Sequence, residues 1–302
     1  MTAPRELLQD LLASRLSRLE LAWLDGACHQ AFEARRGPPA EFATLISLAS
    51  RHVPREALAP TAAERARAFD VLEGFNPERW SLLDAARAVI VLSRSDLHHG
   101  VGVEAIEECF RYADVGELVA LYRTLPLIED GKRFTWRMGE GCRSSMRAVY
   151  ESAACDTPFA LLWFDAPSFR QLAIKALFIE APLWRVYGLD QRVDAELARI
   201  ALDLADERRS AARPVQHELW LCLGRVAGDR GRAALELELA GTNQTGRRAA
   251  AIALARAGAM ERLGVLCAAE KDPLVRETMK SALAGRSKQT AFQDLDPANT
   301  TN

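Results

Sequence analysis

Ionisable, aromatic and glycine residues crowd together between Glu117 and Arg209, whereas Ala, Leu and Arg dominate the rest of the 302-residue chain. Within that stretch Glu140 and Arg143 stand three apart, on one face of a helix, and Arg147 follows one turn later. Lys175 interrupts the apolar run Leu172-Ala173-Ile174-Lys175-Ala176-Leu177-Phe178-Ile179, where an ammonium is costly unless it is paired or turned outward. Asp190 and Arg192 sit in a loop that begins at Gly188, just after Trp184-Arg185-Val186-Tyr187. Charges so placed can close an ion-pair network around a polar ligand group, and they can equally lock helices together with no ligand. The aromatics Trp136, Trp163, Trp184, Trp220, Phe164, Phe169 and Phe178 allow the same two readings, as core of a helical stack or as lining of an apolar pocket.

Other chemistries fit less well. His98-His99 followed by Glu104, Glu107, Glu108 and Cys109 is the most metal-like group, with Glu104 and Glu108 on one helix face. Adjacent histidines cannot easily share one ion, so a solvated face is the better reading and no metal site is assigned. His29, His52 and His217 each stand without a nucleophile at a recognisable spacing. Gly139-Glu140-Gly141 has neither a preceding strand nor a following Gly-Lys-Ser/Thr, which argues against a phosphate loop. Arg247 and Arg248, with Arg230 and Arg232, form the densest basic patch. Asp229, Glu236 and Glu238 interleave with it and stacking aromatics are missing, so nucleic acid is not an expected partner. No catalytic constellation and no cofactor motif emerges.

Composition narrows the class further. Lys plus Arg number 39 against 41 Asp plus Glu, a net of -2, so no long-range field draws in nucleic acid or an anionic membrane. The six cysteines include no CxxC pair and read as reduced, mostly buried thiols. That, with a start at Met1-Thr2-Ala3-Pro4-Arg5-Glu6 lacking an apolar signal core, gives a cytoplasmic expectation. No apolar run approaches the roughly 20 residues that span a bilayer.

Helical periodicity runs almost throughout. Leu7, Leu8, Leu11, Leu12, Leu16, Leu19 and Trp23 predict one long helix face, ended by Gly37-Pro38-Pro39. Further helices are expected over 41–51, from the Thr61-to-Glu64 capping box to Glu73, from Pro77 to Ser93, from Val103 to Tyr112, through Tyr122, over 134–154, and from Asp165 onward. Strand alternation and Asn-Gly hairpins are absent, so the fold class is all-α. Asn243, Arg247 and Leu254 reappear 29 residues later as Asp272, Arg276 and Leu283, which gives the C-terminal part the character of a HEAT-like α-solenoid of stacked hairpins. The expected organisation is an N-terminal helical region over 1–75, a central region over 76–212, HEAT-like pairs over 213–286, and a disordered tail over 287–302.

Glu117-Leu118, Leu121-Tyr122-Arg123-Thr124-Leu125-Pro126-Leu127, Glu140-Gly141-Cys142-Arg143-Ser144-Ser145-Met146, Lys175-Ala176-Leu177-Phe178, Pro182-Leu183, Gly188-Leu189-Asp190-Gln191-Arg192 and Asp206-Glu207-Arg208 occur in an order and spacing that resembles the EboA family, over roughly residues 87 to 260. Departures are Ser145 where the family has Asn, Asp156-Thr157-Pro158-Phe159 for Asn-Pro-Tyr-Pro, and Arg209 for Trp. The resemblance implies a bacterial protein of secondary-metabolite traffic from cytoplasm to periplasm, at most peripheral at the inner membrane. Its partners would be a small-molecule metabolite and proteins of the same gene cluster, a membrane prenyltransferase-like protein among them. Combined with the charges above, it makes Tyr122, Arg123, Glu140, Arg143, Lys175, Asp190 and Arg192 the candidate ligand-binding residues of a non-enzymatic binder or adaptor. The alternatives are an enzyme using Glu140 or Asp190 as acid or base, and a pure scaffold whose repeats from about Leu219 dock another protein.

Overall fold

The computed structural model describes residues 3–34 and 38–296. Among them the chain is all-α: helices and short 3₁₀ turns account for its regular structure, and the single β-bridge, between Ala57 and Ser81, belongs to no strand. The residues divide into two units, Met1–Phe164 and Asp165–Asn302. This boundary falls inside the stretch expected as one central region.

The first unit holds α1 (Ala3–Ala13), α2 (Arg18–Glu33), α3 (Pro39–Leu48), α4 (Ala62–Val71), α5 (Leu82–Leu92), α6 (Gly100–Tyr112), α7 (Val115–Thr124), α8 (Thr135–Arg143), α9 (Arg147–Ala154) and the short α10 (Phe159–Trp163). Its centre is α5, which is buried on every side by α1, α2, α3 and α7. Each large aliphatic side chain there contributes about 1.5–3 kcal/mol of burial. Two charges are buried with them. Asp84 closes a capping box with Ser81 and accepts from Arg123 Nη1 at 2.6 Å. Arg87 donates from Nε to the Ile46 carbonyl at 3.1 Å and lies 3.6 Å from Glu117, and burial lowers its pKa against the pull of that carboxylate.

The second unit holds α11 (Ala166–Ile179), α12 (Leu189–Arg192), α13 (Ala195–Ser210), α14 (Gly228–Leu239), α15 (Gln244–Arg256), α16 (Met260–Ala269) and α17 (Pro273–Leu283). Here α15 is the buried element, with Ala249 to Ala255 all inside against α14, α16, α17 and the 3₁₀ segments 217–222 and 289–295. Its run of alanines lets those neighbours approach closely.

Several sequence expectations meet their physical reason in these elements. The Thr61–Glu64 capping box forms as read, with amide-to-oxygen distances of 3.2 and 2.7 Å. Asp165 caps α11, and Asn243 and Asp272 cap α15 and α17 at the predicted 29-residue offset. Of the two repeated leucines, Leu254 is buried and Leu283 half-buried. The long first helix breaks at Ser17, whose capping box with Glu20 starts α2 and leaves Leu19 84% exposed. The helix expected from Pro77 is a 3₁₀ turn at Pro77–Arg79, followed by an extended Trp80 and a fresh start at Ser81. The helix expected over 134–154 is two, because Ser144 turns extended and its hydroxyl accepts from the Met146 amide at 3.1 Å. The tail read as disordered instead carries a 3₁₀ helix at Gln289–Leu295 with Phe292 and Leu295 buried. Gly37 of the first break and residues 297–302 of that tail lie outside the described residues.

Glu64 supplies a pH test. Its hydrogen bonds from Arg15, then from the Thr61 amide, hold its carboxyl down at about 2. A depressed folded-state pKa stabilises the protein fully above the ordinary carboxylate range and ceases to do so as pH falls toward 2. In chemical denaturation Glu64→Gln should therefore be less stable than wild type at neutral pH, and the gap should close between about pH 4.5 and pH 2.

Candidate functional site

Four of the seven candidate residues lie in the first unit. Tyr122 is buried on α7, its ring 4.9 Å from that of Phe110 and hard against Gly141 of α8. A Cβ at Gly141 would stand 2.7 Å from Tyr122 Cε1 and 2.7 Å from Ala153 Cβ, so α7, α8 and α9 meet where only glycine fits. Burial pushes the Tyr122 phenol up to about 12, against the lowering effect of Arg137, to which it is hydrogen-bonded. Arg137 also pairs with Glu107 and lies 4.8 Å over the rings of both Phe110 and Trp136. The neighbouring Arg123 serves Asp84, donates to the Arg79 carbonyl at 2.8 Å, and lies 5.8 Å over the Trp80 ring.

Glu140 and Arg143 pair with each other on the outer face of α8, 44% and 53% exposed, a position where an ion pair contributes little. Arg147 does not continue their row. It begins α9 and bonds Glu151 at 2.7 Å.

Three candidates lie in the second unit. Lys175 is half-buried on α11, and its ammonium has no ion pair among the described residues. Arg192 places its guanidinium 4.8 Å over the buried ring of Phe169, on the same helix as Lys175. Asp190 pairs with Arg256, whose side chain is only 6% exposed, and accepts from the Gln289 amide at 3.1 Å. Gln289 completes the clasp by donating from its side chain to the Trp184 and Val186 carbonyls, each at 2.8 Å. Asp190 and Arg256 border a depression of about 850 Å³ that Arg225, Lys288, Val193 and Val226 also line.

Other sequence candidates are now placed. Phe164, Phe169 and Trp220 are buried, whereas Trp136, Trp163 and Phe178 are exposed, so the aromatics divide between core and surface. Glu107 and Glu108 are taken by Arg137 and Arg111, and no cluster able to hold a metal ion occurs among the described residues. All six cysteines are buried, and burial pushes Cys109, Cys142 and Cys222 up to about 12. Arg137, Arg225 and Arg256 were not singled out by the sequence. The carboxylates that pair with Arg137 and Arg256, Glu107 and Asp190, stand 30 and 66 residues away along the chain, and no local motif marks the three arginines.

Two substitutions test these placements. Gly141→Ala should cost about 1–3 kcal/mol in denaturant unfolding, through overpacking against Tyr122 and Ala153. Arg123→Ala should cost about 3 kcal/mol, because it leaves the buried Asp84 without its cation.

The sequence pattern of the family described as "Metabolite traffic protein EboA" matches residues 4–224. The match begins well before the quoted motifs and stops short of α14 to α17. Neither a curated protein nor a solved structure matches the chain. With nearly three quarters of its residues inside one family pattern, this protein belongs to the EboA family of metabolite traffic proteins.

Proposed function

We propose that the chain is a non-enzymatic binding or adaptor protein that holds a small anionic metabolite during its passage from cytoplasm to periplasm. The depression beside Asp190 is the observation that supports this reading. Its volume of about 850 Å³ suits a small molecule, and cations from Arg225, Arg256 and Lys288 border it beside the apolar Val193 and Val226. Asp190 holds Arg256 in place, so the ligand's own charge would meet chiefly Arg225 and Lys288. Tyr122, Arg123, Glu140 and Arg143 then act within the first unit, with Arg123 holding Asp84. Lys175, without an ion pair among the described residues, and Arg192, stacked on Phe169, complete the candidate set on the second unit.

An enzymatic role for Glu140 or Asp190 as acid or base fits less well, because each carboxylate already serves an arginine. A scaffold role has one observation in its favour. Leu237 and Val265 are each 60% exposed on α14 and α16, the two helices that the Arg262–Glu236 pair bridges. Cytoplasmic placement, peripheral contact at the inner membrane and a membrane prenyltransferase-like partner belong to the same proposal. No helix among the described residues is long and apolar enough to cross a membrane.

Native mass spectrometry of the full chain, mixed with the small-molecule fraction of a cell extract, tests the site. Arg225→Ala, an exposed change, should lose the bound mass at least tenfold with an unchanged melting temperature, and Asp190→Ala should lose it with some destabilisation. Undiminished binding in both variants would sink the assignment.

A further inference from the structure

A second cleft in the same unit lies entirely beyond the residues that match the family. It has a volume of about 470 Å³, and Arg248, Arg286, Lys288, Thr278, Ser281 and Thr290 are among its lining. Elsewhere in the unit Arg230, Arg232, Arg247, Arg256 and Arg262 are neutralised, each by contact with a carboxylate. Arg248 and Arg286 differ, because each is fixed by a neutral hydroxyl. Arg248 donates from Nε to Thr278 Oγ1 at 3.0 Å, and that hydroxyl in turn donates a hydrogen bond to the Leu274 carbonyl at 2.9 Å. Arg286 donates from Nε to Ser281 Oγ at 2.8 Å.

Thr278 and Ser281 are three residues apart on α17, so they stand one above the other on one helix face. They therefore anchor two guanidiniums that line one cleft, with the terminal Nη groups of both lacking an acceptor among the described residues. The backbone enforces the second position as well. Gly285, at φ +89°, turns the chain back so that the Gly285 amide reaches the Ala282 carbonyl at 3.0 Å and the Arg286 amide reaches that of Ser281 at 3.1 Å. Arg286 is thus tied to Ser281 through both main chain and side chain.

Two like charges lining one cleft without a paired carboxylate repel each other, and together they offer the several N–H donors from which a tetrahedral oxyanion can accept hydrogen bonds. Glu277 and Asp294 also line the cleft but pair with neither arginine, so the cationic side prevails by one charge once Lys288 is counted. Ile252 and Leu274 supply an apolar wall.

We propose that Arg248 and Arg286, with Lys288, form a binding site for the phosphoryl group of a small organic phosphate whose carbon part rests on Ile252 and Leu274. It is separate from the depression beside Asp190, except that Lys288 borders both.

Isothermal titration of the full chain at constant ionic strength, with inorganic phosphate and with isobutyl phosphate, tests it. Both should bind saturably, isobutyl phosphate at least threefold more tightly. Arg248→Gln and Arg286→Gln should each weaken isobutyl phosphate at least tenfold, while Arg232→Gln, on an exposed paired arginine, should leave it unchanged. Arg248→Lys keeps the charge but loses the hydroxyl-anchored fork, and should recover no more than part of the loss. Circular dichroism checks that each variant is folded. The proposal is overturned by non-saturable heats for both probes, by equal affinity for the two, or by Arg232→Gln weakening binding as much as the other variants. Arg248 and Arg286 border only this cleft, so loss of phosphate binding in their variants is distinguishable from loss of the site beside Asp190, which Arg225→Ala reports.

Discussion

A helix buried on every side cannot carry charge without fixing its surroundings, and α5 carries two charges. Asp84 and Arg87 sit one turn apart, each too deeply buried to be left to solvent. Asp84 recruits Arg123 from α7, while Arg87 takes Glu117 from that same helix and a carbonyl from the end of α3. Glu117 in turn closes the capping box that starts α7, with Asp114. The position and register of α7 thus follow from the charges on α5. Tyr122 follows from α7, and the contact of Tyr122 with Gly141 follows in its turn.

This chain of dependence changes how the charged family blocks are understood. Tyr122 and Arg123 are neighbours in sequence and diverge in space, one toward Gly141 and Arg137, the other toward Asp84. Glu140 and Arg143 face water and satisfy each other, while the glycine between them is the packing residue. A charged block can thus serve architecture through its smallest member while its charged members face water.

What the sequence made legible was local. Thr61 with Glu64, Asp165, Asn243 and Asp272 could be read as caps because their partners lie within four residues, and the helical period carried the fold class. Ser17 and Ser81 start helices by the same mechanism, but each lies inside a continuing apolar pattern that hides the break. The interruption at Ser144 is hidden in the same way, since hydroxyl competition for a backbone amide leaves no mark on periodicity. The site was least legible. Arg256, Glu107 and Thr278, which bond Asp190, Arg137 and Arg248, are 66, 30 and 30 residues away from them, distances at which spacing carries no information. Membership of the family, in contrast, was readable because it rests on many blocks in order.

Gln289 gives the late part of the chain a meaning beyond order. Trp184 lies in the 3₁₀ turn Leu183–Arg185 and Val186 follows it extended, and a single glutamine amide from about a hundred residues downstream bonds both their carbonyls, that of Val186 accepting also from the Leu189 amide at 3.3 Å. A segment inside the family pattern is thereby completed by a residue outside it. The shape of this turn therefore depends on two parts of the chain, one within the family pattern and one beyond it.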